Sequence, residues 1–127
     1  MARYGFDHVH LRSPDLEATA TWFQEVLGAE VVRRAAGEAP RIDLLLGGLN
    51  LFISQSDTRV AAPPVSPYNG IDHFGLAVED LDAAVAELKA KGVEFTIEPR
   101  QARPGVRICF IRGPQDITIE LLERKPA

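Results

Sequence analysis

The sequence predicts an α+β fold built from two tandem βαβββ modules, and three observations predict it. A segment near the N-terminus recurs 65 positions later, each copy passes from a strand pattern into a helical one, and three more strand patterns follow each helix. The repeat lays Asp7-His8-Val9-His10-Leu11-Arg12-Ser13-Pro14-Asp15-Leu16-Glu17-Ala18 over Asp72-His73-Phe74-Gly75-Leu76-Ala77-Val78-Glu79-Asp80-Leu81-Asp82-Ala83, with six of twelve pairs identical. With a one-residue gap it continues as Gly28-Ala29-Glu30 over Gly92-Val93-Glu94.

The opening strands fall near 6–12 and 72–78. Each runs to an aspartate suited to N-cap a helix, because its carboxylate accepts from the exposed N–H groups of the first turn. Helices are predicted at about 15–27 and 80–91, with Leu16, Ala20, Phe23 and Leu27 spaced along one face and Leu81, Val85 and Leu88 along the other. Gly28 and Gly92 end them. Strands follow at about 30–35, 40–47 and 49–54, and again at 93–98, 105–112 and 116–123. Gly47-Gly48 marks a tight turn in the first copy, and Gly113-Pro114-Gln115-Asp116 takes that place in the second. The expected organisation is one domain over 1–127, with module one at about 5–54, a proline-bearing linker at 55–70 and module two at 71–124.

Composition bounds the function. The 127 residues are 46% hydrophobic and 25% charged, within the range of a globular domain. The net charge of −4, without a stripe of Lys or Arg, argues against nucleic acid. Apolar runs are too short to span a bilayer, so no membrane partner is expected. Cys109 has no second cysteine to pair with, and the N-terminal residues lead into a strand pattern without a signal-peptide core. A reducing cytoplasm fits these features.

Strand alternation groups the chemistry. His8, His10 and Arg12 share one face, as do His73, Gly75 and Ala77, while Val9, Leu11, Phe74 and Leu76 belong to the faces under the helices. In Ile117-Thr118-Ile119-Glu120-Leu121-Leu122 a carboxylate interrupts an apolar strand, and burying it is costly unless a cation receives it. His8, His73 and Glu120 are therefore candidate metal ligands, a two-histidine, one-carboxylate set with open positions for Fe²⁺, Mn²⁺, Ni²⁺, Co²⁺ or Zn²⁺, one ion per site. A site with one anionic ligand favours a pair of substrate oxygens. The alternative is a repeated Asp-His pair that fixes the strand ends by hydrogen bonds.

These segments, with Trp22-Phe23-Gln24-Glu25-Val26-Leu27-Gly28 and Ile119-Glu120-Leu121, resemble the vicinal oxygen chelate superfamily. That superfamily includes glyoxalase I, extradiol dioxygenases, methylmalonyl-CoA epimerase, fosfomycin-resistance enzymes and non-enzymatic bleomycin-resistance proteins. The resemblance implies curved mixed sheets around a metal-binding cavity, and ligands at His8, His73 and Glu120. It implies a lyase, isomerase or oxygenase acting on a small substrate through vicinal oxygens. A fourth ligand of the glyoxalase I kind would fall on Phe52, which cannot ligate and forms an apolar wall instead. An Fe(II) extradiol-type dioxygenase and a ligand-sequestering binding protein are the competing readings. The resemblance further implies a homodimer, with the ligands of one site drawn from one chain or from two.

Beyond the metal, His10 lies one alternation from His8 and is a candidate acid or base, or a hydrogen-bonding support for the ligands. Arg107 and Cys109 alternate with Phe110; if Phe110 packs under the helix, both point toward substrate, and Arg107 would hold an anionic group. Otherwise Arg107 is a solvated edge charge and Cys109 a small core residue. Tyr68, beside the second repeat, is a candidate lid residue or plain linker.

Overall fold

The computed structural model describes residues 2–126, so the two ends of the expected 1–127 domain, Met1 and Ala127, lie outside the described residues. The contacts fall into two compact units that divide between Ala61 and Ala62, inside the expected linker.

The first unit contains β1 (Val9–Ser13), α1 (Leu16–Leu27), β2 (Glu30–Ala35), β3 (Arg41–Leu46) and β4 (Leu49–Gln55). Its sheet has the order β1-β4-β3-β2, with β1 parallel to β4 and the other pairs antiparallel. The second unit repeats this with β5 (Phe74–Ala77), α2 (Leu81–Ala90), β6 (Phe95–Arg103), β7 (Val106–Arg112) and β8 (Thr118–Arg124), in the order β5-β8-β7-β6. The expected α+β class and the two βαβββ modules are both present.

The repeated aspartates act as caps. Asp15 Oδ1 accepts from the Ala18 N–H at 3.0 Å, and Asp80 Oδ1 accepts from the Ala83 N–H at 3.0 Å. Each helix also receives support from its sheet. Gln55 Oε1 accepts from the Leu16 N–H at 3.0 Å, and buried Glu123 Oε2 accepts from the Leu81 N–H at 2.7 Å. The pair satisfies first-turn donors that would otherwise be buried without partners. Leu16, Ala20 and Phe23 of α1 lie on the sheet side with Leu44, Leu51 and Ile53, all buried. Each large apolar side chain so removed from water contributes roughly 1.5–3 kcal/mol. Leu81, Val85 and Leu88 do the same with Ile111, Ile119 and Leu121.

The structure departs from expectation at β6, which runs through Pro99 to Arg103 rather than stopping near 98. β6 is an edge strand whose register shifts three times against β7. An edge position leaves the missing proline N–H without cost, and bulges absorb the irregularity.

The two central hairpins turn the same way with different residues. Gly47 and Gly48 have φ of 55° and 86° between paired Leu46 and Leu49. In the second unit Gln115 and Asp116 both adopt φ of 58°, left-handed positions that glycine and asparagine occupy more cheaply. Gln115→Asn with Asp116→Gly should therefore raise unfolding stability by about 1 kcal/mol in urea denaturation, without changing the slope of the transition. No gain would mean that the turn is not strained.

Candidate metal centre

In the second unit, Gly75 pairs with Glu120 across β5 and β8, and Glu120 with Phe110 across β7 and β8. Directly paired residues project to one face, so Glu120, Phe110 and Gly75 stand together. His73, two residues before Gly75, joins them. Its Nε2 lies 3.2 Å from Glu120 Oε1, and its ring meets Phe110 edge-on at 4.9 Å between centroids. On the other side of the ring, Nδ1 lies 2.7 Å from Asp72 Oδ2. Asp72 is itself held by the Ser66 hydroxyl at 2.6 Å and the Tyr68 N–H at 3.4 Å. The His73 hydrogen bond, then that from Ser66, holds the Asp72 carboxyl below the usual carboxylate range.

This geometry suits a divalent cation. Two ligand atoms about 2.1 Å from a metal and at right angles are about 3 Å apart, close to the Nε2–Oε1 separation. Asp72 at Nδ1 fixes the tautomer whose Nε2 lone pair is free to coordinate, the usual arrangement behind a ligating histidine. Carboxylates on both ring nitrogens are satisfied together only when each nitrogen carries a proton or a cation replaces one.

The first unit repeats the support. His8 Nδ1 lies 2.7 Å from Asp7 Oδ2, and the His8 ring stacks on Phe52 at 4.4 Å and 24°. Phe52 occupies the place of Glu120: it pairs with His10 on β1 and with Asp43 on β3. The acid and the aromatic have exchanged strands between units, Asp43 and Phe52 in one, Phe110 and Glu120 in the other. Buried Asp43 is held by Arg41 through two bonds, 2.7 Å to Nε and 3.0 Å to Nη2, and the Arg41 guanidinium lies 4.4 Å over the Phe52 ring. His10 bonds through Nε2 to the Ser54 hydroxyl. Desolvation first, then the charges of Arg12 and Arg41, lower the His10 pKa. Among the described residues no three His, Cys, Asp or Glu side chains come together as a metal-holding group; the pair that is brought together is His73 and Glu120.

Two expected substrate contacts are corrected. Arg107 pairs with Glu123 and Cys109 with Leu121, so both face α2, on the side opposite Glu120. Arg107 Nη2 donates to Asp82 of α2 at 3.0 Å, and Cys109 is fully buried with its thiol pushed up to about 11, chiefly by desolvation. The cause is the register: Phe110 pairs with Glu120 and takes the site face, so the condition that it pack under the helix is not met. Tyr68 contributes its backbone N–H to Asp72. Strand pattern alone did not bring out Arg41, Asp43 and Ser54, although the Arg41-x-Asp43 spacing places both on the His10 face.

The profile of the Glyoxalase/Bleomycin resistance protein/Dioxygenase superfamily matches residues 5–121. The chain belongs to this superfamily. It is 29% identical over 126 residues to a protein named lactoylglutathione lyase GLX1 from Arabidopsis thaliana, covering 95% of this chain and 44% of that protein, so it spans less than half of that relative's length. An ethylmalonyl-CoA/methylmalonyl-CoA epimerase from Cereibacter sphaeroides is 30% identical over 132 residues, with 92% of this chain and 93% of that protein covered. A fosfomycin resistance protein from Listeria monocytogenes, solved with Mn(II) and sulfate, superposes with a TM-score of 0.74 at 21% identity, covering 98% and 95% of the two chains; it shares the fold. Its relatives thus include a protein named as a lyase and another named as an epimerase. Among the described residues no helix is long and apolar enough to cross a membrane.

Proposed function

We propose that this chain is a divalent-metal enzyme that acts on a small substrate bound through vicinal oxygens, by moving a proton at the carbon beside them. The observation that carries this reading is the His73 Nε2–Glu120 Oε1 separation of 3.2 Å, with Asp72 holding Nδ1. We assign the ligands as His73 and Glu120 of one chain with His8 of a second copy, in a homodimer. The exposed apolar side chains beside both histidines, Phe6 and Ile71, favour a second copy there.

A bound cation supplies Lewis-acid polarisation of the substrate oxygens. His10 supplies the proton transfer. Its lowered pKa keeps it neutral at pH 7, and with Nε2 engaged by Ser54, Nδ1 is the atom left to take and return a proton. Phe52, against the His8 ring, gives an apolar wall where a fourth ligand would close the site. Tyr68, whose backbone N–H supports Asp72, lies in the loop before β5 and is the candidate lid residue. Relatives named as a lyase and an epimerase favour this proton chemistry over oxygenation.

Metal analysis of protein purified without chelator tests the assignment. The expected result is one divalent ion per chain, lost in His8→Ala and in Glu120→Ala. Mixing those two variants should restore binding to about half of the sites in mixed dimers, because one of the two sites then has all its ligands intact. Wild-type protein that takes up no stoichiometric divalent metal under any loading condition overturns the reading, and mixing that restores nothing overturns the two-chain site. Oxygen uptake with catechols would instead identify a dioxygenase.

A further inference from the structure

One glycine of the second unit occupies a strand position that neither backbone nor packing reserves for it. Gly75 lies inside β5, two residues after His73, and pairs with Glu120 of β8. Its φ lies outside the left-handed range, unlike those of Gly28, Gly47, Gly48 and Gly92, which caps and turns require. A methyl group on Gly75 would stand at ordinary van der Waals distances. Its three nearest atoms all belong to Glu120, with Oε1 at 3.8 Å and Cβ and the backbone O at 3.9 Å. Alanine would therefore fit, and it would hold the strand better, because glycine loses more chain entropy on folding and offers no side chain to pack.

The repeat shows what the position can carry. Gly75 corresponds to His10 of the first unit, which pairs with Phe52 as Gly75 pairs with Glu120. One unit fills this place with an imidazole, and the other leaves it open beside the candidate ligand carboxylate. Gly75 is exposed, so the place is reachable from solvent. Phe110 flanks Glu120 on its other side, and the next rung of the same face is Ala77, Leu122 and Ile108. Next to Glu120, that rung is wholly apolar. A glycine inside a strand often marks a site where a ligand approaches the backbone closely.

We propose that the place left open at Gly75 receives an alkyl or aryl group that the substrate carries next to its chelating oxygens, so that Gly75 sets the size of group accepted. The placing of those oxygens rests on the metal-enzyme reading; the open place adds the substrate class, a small chelator with an apolar substituent. A substituent atom standing where the methyl group would be is in contact with Glu120 and continues toward Ala77 and Leu122, apolar surface that gains from excluding water. A side chain at position 75 competes for the same volume. One methylene more or less in an apolar site changes affinity about 10–200-fold.

Calorimetric titration with Mn²⁺, and then with hydroxamates that differ only in the group on the carbonyl carbon, tests this. Gly75→Ala should bind Mn²⁺ within about twofold of wild type, since the added methyl group meets Glu120 without displacing it. Its urea midpoint should be no lower than that of wild type. Formohydroxamate, which bears only hydrogen there, should bind both proteins about equally, whereas benzohydroxamate should bind Gly75→Ala about tenfold more weakly than wild type. Gly75→Val should extend the loss to acetohydroxamate. Equal weakening of all three hydroxamates, or of none, overturns the proposal and leaves the metal reading in place, as does Mn²⁺ uptake without hydroxamate binding. A lowered Mn²⁺ affinity or urea midpoint in Gly75→Ala would make the glycine structural and overturns the proposal too. Wild-type protein that takes up no Mn²⁺ also overturns it, and failure with every divalent ion overturns the metal reading as well.

Discussion

Asp72→Ala should lower divalent-metal affinity about 10–100-fold, the usual cost of losing the group behind a ligating histidine. The carboxylate takes the His73 Nδ1–H at 2.7 Å and is itself held by Ser66 and the Tyr68 backbone. Without it the ring is free to rotate and to carry its proton on Nε2, the nitrogen that faces Glu120. Asp7→Ala should cost less, because Asp7 is far more exposed than Asp72, 85% against 32%, and among the described residues its carboxylate is bonded to His8 alone. Calorimetric Mn²⁺ titration of both variants checks the order; equal affinity in wild type and Asp72→Ala would remove the support role. The pH dependence has a definite sign. The Asp72 pKa is depressed, so its contribution is present above the unfolded carboxylate value near 3.9 and is lost only as pH falls through the lower folded value. Acidification from pH 7 to 5 should therefore leave the Asp72 support intact.

The fold was legible because the duplication is written in residues that have local jobs. Asp15 and Asp80 cap helices, Gly28 and Gly92 adopt left-handed φ of 75° and 76° after them, and Gly47-Gly48 makes the tight turn. Such signals act over a few residues and need no tertiary context. The pairing of His73 with Glu120 was legible for a related reason, since a carboxylate inside an apolar strand asks for a partner. Arg107 and Cys109 were misplaced because Val106-Arg107-Ile108-Cys109-Phe110 carries large apolar residues at alternate positions, and period-two reasoning cannot say which set meets the helix. Register against β8 decides it, by setting Phe110 opposite Glu120. A charged residue on the helix side then survives through a partner on the helix itself, as Arg107 does with Asp82. Arg41 and Asp43 were hidden for the converse reason: their meaning depends on Phe52 and Ser54, which lie on another strand.

Arg41→Met should destabilise the protein by about 2 kcal/mol, and Arg41→Met with Asp43→Asn should recover most of the loss. Asp43 is 6% exposed, on the site face beside Phe52, and Arg41 supplies both of its side-chain hydrogen bonds among the described residues. Removing the cation leaves a carboxylate in a place that water reaches poorly, and stranding one half of a fully buried pair costs about 3–5 kcal/mol. The Arg41 side chain is 35% exposed, so solvent already screens the pair and the smaller figure applies. Loss of the guanidinium over Phe52 adds about 0.5–1 kcal/mol at most. Asparagine in the double variant fills the same volume without a charge to strand, which separates the cost of an unpaired carboxylate from the loss of arginine packing. Urea denaturation reads both variants; a single variant within about 0.5 kcal/mol of wild type would show that the pair is not structural. The second unit indicates why a neutral residue is tolerable here, since the equivalent position is Phe110, with the carboxylate moved one strand over to Glu120, beside His73. On this face, an acid on the middle strand is neutralised by Arg41, and an acid on the last strand lies against His73 instead.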